Sequence, residues 1–99
     1  MLDDYRLYRF PANSRAEASI LAVQILHAKD EINEVIEATM ESPERIIEEL
    51  WDTIQACEGA LRKFKTQQVR DGYYLVMGKN NERGDYSKEA VRCDDWGLV

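Results

Sequence analysis

The segment from Asp30 to Asp52, DEINEVIEATMESPERIIEELWD, decides how this chain folds. It carries two acidic pairs at helical spacing, Glu31 with Glu34 and Glu49 with Asp52, and a Ser42-Pro43 step between them. Serine is a favoured N-cap, and proline suits the first helical position because its missing N–H has no partner there. One helix is therefore predicted to end near Met40 or Glu41 and a second to begin at Pro43. So short a connection makes the two helices antiparallel neighbours. In that register Glu31 stands opposite Asp52, and Glu34 opposite Glu49. Each pair lies on one side of its own helix, and at a rise of about 1.5 Å per residue all four carboxylates reach the same height.

Carboxylates gathered at one height repel one another and raise each other's pKa values. A hard divalent cation removes that cost, and ligation by oxygen alone is what Mg²⁺ or Mn²⁺ prefers. Either pair taken singly is an ordinary solvated helix face. The matching height across a tight hairpin is what favours a metal site.

Working outward, Ser14-x-x-Glu17 has the form of a capping box, and no Gly or Pro follows it before Met40, which predicts one long helix. Leu21, Ile25, Ala28, Ile32, Val35 and Ile36 form an apolar stripe expected to be the core seam. Gln24, His27, Glu31, Glu34 and Ala38 run along its edge. His27 is the only histidine. With Gln at position 24, the Glu-x-x-His pattern of di-iron bundles is missing, so His27 is expected to be partly buried or to touch the carboxylate ligands.

The second helix is predicted from Pro43 to about Lys65, with Ile47, Leu50, Ile54, Cys57, Leu61 and Phe64 as its seam and Cys57 as a buried thiol. Trp51, among the acids, is either core or a stacking surface for a base. Gly59 is a weak point or marks a close helix approach. Val69, Tyr73, Val76 and Met77 predict a third helix over about Gln67 to Asn81, a hairpin with YYLVM as a strand being the alternative. Gly84 is its expected stop. Lys79 and Arg83 project together as a phosphate clamp or as a basic helix end complementing the dipole; on charge alone the second holds. Residues 1–13, with Tyr5, Leu7, Tyr8 and Phe10, form an arm, residues 14–83 the helical core and residues 84–99 an extended tail. Arm and tail are expected to pack on the bundle or on a partner subunit.

A chain of 99 residues suggests one domain, near the small end of what a single core stabilises. The expected fold is all-α: a long antiparallel hairpin plus a third helix, completed as a bundle by homo-oligomerisation, as dimer or tetramer. The net charge of −6 argues against general nucleic-acid binding. From Asp30 to Asp52 the balance is −8, and from Arg62 to Arg92 it is +4. That division suits a metal meeting a phosphorylated ligand, and equally suits subunit pairing. Cys57 and Cys93 have no metal-ligand spacing, and no stretch resembles a signal peptide or a membrane span, so a reduced cytoplasmic setting is expected. P-loop and Rossmann fingerprints are absent, and His27 has no nucleophile in its motif.

The order Glu31-x-x-Glu34, fourteen intervening residues, Glu49-x-x-Asp52 resembles the signature of the MazG-like all-α nucleoside triphosphate pyrophosphohydrolases. DEINEVIEA and EELWD are similar to that family's EELxELxEA and EELxD segments, Gln24 to a glutamine often found before the first pair, and KNNERGDY (Lys79 to Tyr86) to the end of its last helix. Trp51 departs from the pattern, standing where small residues are frequent, and the arm and tail have no counterpart. The resemblance implies Mg²⁺-dependent hydrolysis of a nucleoside triphosphate to a monophosphate and pyrophosphate. It implies Glu31, Glu34, Glu49 and Asp52 as metal ligands and catalytic carboxylates. Lys79, Asn80 and Arg83 would bind phosphate oxygens, and Gln24 and Trp51 would face the substrate. A phosphoribosyl-ATP, dCTP or dUTP pyrophosphohydrolase is a rival within the class, and a non-catalytic helical oligomerisation or regulatory module is the rival outside it.

Overall fold

A computed structural model describes residues 7–86, and among these it is all helical, as expected. The helices are α1 (Ser14–Ala18), α2 (Leu21–Ala38), α3 (Pro43–Leu61) and α4 (Thr66–Glu82). Phe10–Lys63, holding α1 to α3, is one compact unit, and α4 belongs to a second. No helix among the described residues is long and apolar enough to cross a membrane.

α2 and α3 pack along their lengths as the expected antiparallel hairpin. Ser42 is the N-cap of α3, its Oγ accepting from the Arg45 N–H at 3.3 Å, and Pro43 occupies the first turn. Thr39 closes α2 by donating its hydroxyl to the Ile36 carbonyl at 2.6 Å. Ala38, beside the turn, is completely buried.

The seam between the helices is only partly the one the apolar pattern predicted: Leu21, Ala28 and Val35 lie in it, and Ile25, Ile32 and Ile36 do not. Leu21, Gln24, Ala28, Glu31, Val35 and Ala38, alternately three and four residues apart, are the buried or half-buried positions of α2. α3 answers with Glu49, Ala56 and Gly59. Of the expected core, Ile25, Ile32, Ile36, Ile47, Leu50, Ile54, Leu61 and Phe64 are all exposed. Cys57, expected to be buried, is an exposed free thiol. The physical reason is width. Two helices approach most closely across small residues, and a hairpin has one narrow seam, so the larger branched side chains fall on the flank.

The single helix predicted from Ser14 to Met40 is broken. Ser14 is already helical, and Asn13 is the cap, its Oδ1 accepting from the Arg15 and Ala16 N–H groups at 2.9 and 3.1 Å. Ser19 and Ile20 are extended, with ψ near 150° and 160°. Their competitor is Lys63, whose ammonium donates to the Glu17 carbonyl at 3.1 Å and to the Ser19 carbonyl. Just before α1, Phe10 donates its N–H to Glu58 Oε1 at 2.9 Å, and Arg62 donates to the Phe10 carbonyl at 2.8 Å. Three charged side chains of the α3 end thus fold the chain back across the hairpin. Of the arm, residues 10–13 lie in this unit, and Phe10 packs on the bundle, one of the two placements expected for the arm.

Gly59 marks a close approach. A Cβ there would meet Gln24 Nε2 at 2.8 Å and the Ala16 Cβ at 3.0 Å, so its missing side chain lets α1, α2 and α3 meet at one point.

In the second unit, α4 settles the choice between helix and hairpin in favour of the helix. Lys65 N–H donates to Gln68 Oε1 at 3.0 Å at its start, and Gly84, with φ of +76°, ends it as expected. Tyr5, Cys93 and most of the predicted tail lie outside the described residues.

Candidate metal centre and adjoining cleft

The predicted register holds at the acids. Ligand oxygens of Glu31, Glu49 and Asp52 all lie within 4.8 Å of one another. Glu34 stands outside that set, and its charge is among those that raise the Glu49 carboxyl. Helix spacing explains the arrangement. Glu31 belongs to the inward row of α2, one turn from Ala28 and Val35, whereas Glu34 lies on its exposed border. Glu49 is the most deeply buried of the four, at 5% exposure.

One oxygen of Glu49 is taken by Arg45 Nη2 at 2.8 Å. Arg45, the lone base of the acidic segment, also pairs with Glu48 and lies 3.9 Å from Glu41. Burial alone would lower its pKa; the carboxylates of Glu48, Glu49 and Glu41 outweigh that and raise it. The other Glu49 oxygen, Oε2, is buried and meets no donor, and Glu31 Oε2 is in the same state. Burial raises the Glu49 carboxyl above the ordinary glutamate range; Arg45 opposes the shift, while Glu34 and Asp52 reinforce it. An unpaired buried acceptor is costly and normally finds a partner. Two such oxygens, on two of three carboxylates that lie close together, suit a hard divalent cation. Glu31, Glu49 and Asp52 could together hold a hard divalent cation.

His27 Nε2 lies 3.6 Å from Glu31 Oε1, with half of its side chain exposed. It touches a carboxylate of the centre, one of the two roles expected for it. A cleft of about 370 Å³ takes in Glu31, Asp52 and His27 and runs toward α1, where Arg15, Gln24 and Gln55 also line it. Trp51 is half exposed and packs edge-to-face on Phe10, ring centroids 6.0 Å apart, so its ring is engaged by an aromatic of its own chain. Lys79, Asn80 and Arg83 sit at the end of α4 in the second unit, where Asn80 donates to the Tyr86 hydroxyl at 3.2 Å.

Arg45, Asn13 and Gln55 were not singled out from sequence. Gln55 had a signal: it continues the Asp52 row one turn along α3. Asn13 had none, because its place depends on the chain folding back at Ser19.

Comparison of the chain with family models, with curated proteins and with solved structures finds no match.

Proposed function

We propose that this chain is a divalent-cation-dependent nucleotide pyrophosphohydrolase of the MazG-like kind its sequence resembles, cleaving a nucleoside triphosphate to a monophosphate and pyrophosphate. The observation that carries the reading is the approach of Glu31, Glu49 and Asp52 oxygens to within 4.8 Å of one another, with one buried oxygen each of Glu31 and Glu49 meeting no donor. These residues would hold Mg²⁺ or Mn²⁺, which when bound supplies charge neutralisation for the phosphate chain. Hydrolysis joins a water oxygen to the α-phosphorus, breaks the α–β anhydride and releases one proton. Glu34, outside the set of three and exposed, is the carboxylate left to take that proton.

The proposal includes a homo-oligomer, dimer or tetramer. Its support is the row of exposed Ile25, Ile32 and Ile36 on α2 and of Ile47, Leu50, Ile54 and Leu61 on α3. A contiguous apolar face of this kind marks an interaction surface, and a second copy of the same face is the commonest cover.

The test is pyrophosphate release from ribo- and deoxynucleoside triphosphates with Mg²⁺ and with EDTA, using wild type and Asp52→Asn. Release that needs the metal and is lost in the variant is the expected result. A helical chain that releases pyrophosphate from none of them overturns the proposal and leaves the acids as a charged face of a non-catalytic module.

A further inference from the structure

The two oxygens of Glu49 stand in different surroundings. Its side chain is 6% exposed, Arg45 Nη2 meets Oε1 at 2.8 Å, and Oε2 is buried and meets no donor among the described residues. Arg45 is held in this position from several sides. It lies one helical turn before Glu49 on α3, its guanidinium also pairs with Glu48, and it stands 3.9 Å from Glu41 in the turn that joins α2 to α3. Its backbone N–H donates to Ser42 Oγ at 3.3 Å. A guanidinium is a planar fork of N–H donors with a permanent charge, so one side chain can serve several carboxylates at once. The contacts to Glu41 and Glu48 are exposed and add little stability, whereas the contact to Glu49 is made on a buried side chain.

Like charges repel, so the oxygen that Arg45 holds is closed to a metal ion, and Glu49 has a single oxygen to offer. Divalent cations differ in how they meet that restriction. Mg²⁺ is small, demands near-octahedral geometry and keeps several waters beside one or two carboxylates. Ca²⁺ is larger, takes about six to eight oxygens and often engages a carboxylate through both of its oxygens. We propose that Arg45 is a positioning residue that restricts Glu49 to one oxygen and thereby makes the acidic centre select Mg²⁺ over Ca²⁺. The proposal rests on the reading of Glu31, Glu49 and Asp52 as a metal centre. Arg45 touches no substrate in this account; it acts through Glu49.

The experiment follows the Tm of the metal-free full chain as MgCl₂ or CaCl₂ is added, and takes an apparent Kd for each ion from the rise. Wild type should bind Mg²⁺ more tightly than Ca²⁺. Arg45→Met keeps an apolar stem and removes the charge. It should free the second oxygen of Glu49 and lower the Kd for Ca²⁺ relative to that for Mg²⁺ by about tenfold, the size of effect expected when a group that orients a metal ligand is lost. Arg45→Lys keeps a cation one turn from Glu49 and should retain most of the wild-type preference. A guanidinium acting through charge alone would weaken both ions alike, so equal gains for Mg²⁺ and Ca²⁺ in Arg45→Met overturn the proposal. Equal loss of preference in both variants overturns it too, because the side chain would then be structural. If Arg45→Met does not fold, a Mg²⁺ preference in wild type that survives in Arg45→Lys supports the proposal, and its absence from either overturns it. A wild-type Tm that neither ion moves removes the metal centre and this proposal together, whereas a rise with an unchanged ratio removes Arg45 alone.

Discussion

Gln24 and Gly59 meet so closely that a methyl carbon at position 59 would lie 2.8 Å from the Gln24 amide nitrogen, with the Ala16 Cβ only 3.0 Å away. Helix propensity alone would make Gly59→Ala stabilising by about 1 kcal/mol. Here the added carbon presses on a hydrogen-bonded amide and on a Cβ fixed to the backbone of α1, and overpacking of that kind costs about 1–3 kcal/mol. The expected net is a loss of about 1 kcal/mol, read as a fall of about 4–8 °C in Tm. Gly72, with open space around its Cβ position, is the control: Gly72→Ala should raise Tm. Melts that move the same way in both variants would remove the close approach from the account.

Glu49 gives stability without metal a definite pH dependence. Its carboxyl is raised in the folded chain, burial being the largest cause, so the native state binds this proton more tightly than the unfolded state does. The stabilisation from that proton is complete below the ordinary glutamate pKa and is lost as pH rises through the raised value. Glu49→Gln cannot ionise. In EDTA, the Tm of the variant minus that of wild type should therefore climb as pH is taken upward through that window. A flat difference would show that Glu49 titrates normally.

The two roles assigned to carboxylates separate by mutation. Asp52→Asn should lose both turnover and the rise in Tm that Mg²⁺ gives by binding the folded state. Glu34→Gln, which leaves the set of three intact, should abolish turnover and keep a Mg²⁺-dependent rise. Differential scanning fluorimetry with MgCl₂, set against NaCl of matched ionic strength, reads the second quantity. Loss of the rise in Glu34→Gln would make Glu34 a ligand.

If the proposed homo-oligomer forms, Leu50→Glu on the apolar flank of α3 should leave only monomer in sedimentation velocity and lower Tm. In wild type, Tm should increase with protein concentration, as it does whenever association stabilises the folded chain. A wild-type chain that sediments as a monomer would overturn the homo-oligomer.

The hairpin was readable in the sequence because Ser42-Pro43 is a local signal and helix geometry propagates its register over several turns, far enough to bring Asp52 to Glu31. Periodicity could not say which of two adjacent stripes faced the partner helix. An amphipathic pattern reports that isoleucines avoid water, not whether a neighbour in the same chain or in another copy covers them. Cys57 was misplaced for the same reason. The break at Ser19 was hidden because its cause, the Lys63 ammonium, lies 44 residues away. Asn13 and the α1 wall of the cleft were hidden along with it.

The turn beside Ala38 also sets the order in which this hairpin opens. Covalent connection protects that end, and the opposite end is held by the Gln24 bond to Ala56, the crossing at Gly59 and the Lys63 bonds to the end of α1. Local unfolding starts where connection is weakest and travels toward the turn. Amide hydrogen exchange should therefore be fastest around α1, intermediate at Gln24 and slowest near Ala38, with Glu31 protected between them. A chain built this way can loosen the α1 end of the hairpin while keeping its carboxylates in register, so the two ends open as separate equilibria within one pair of helices.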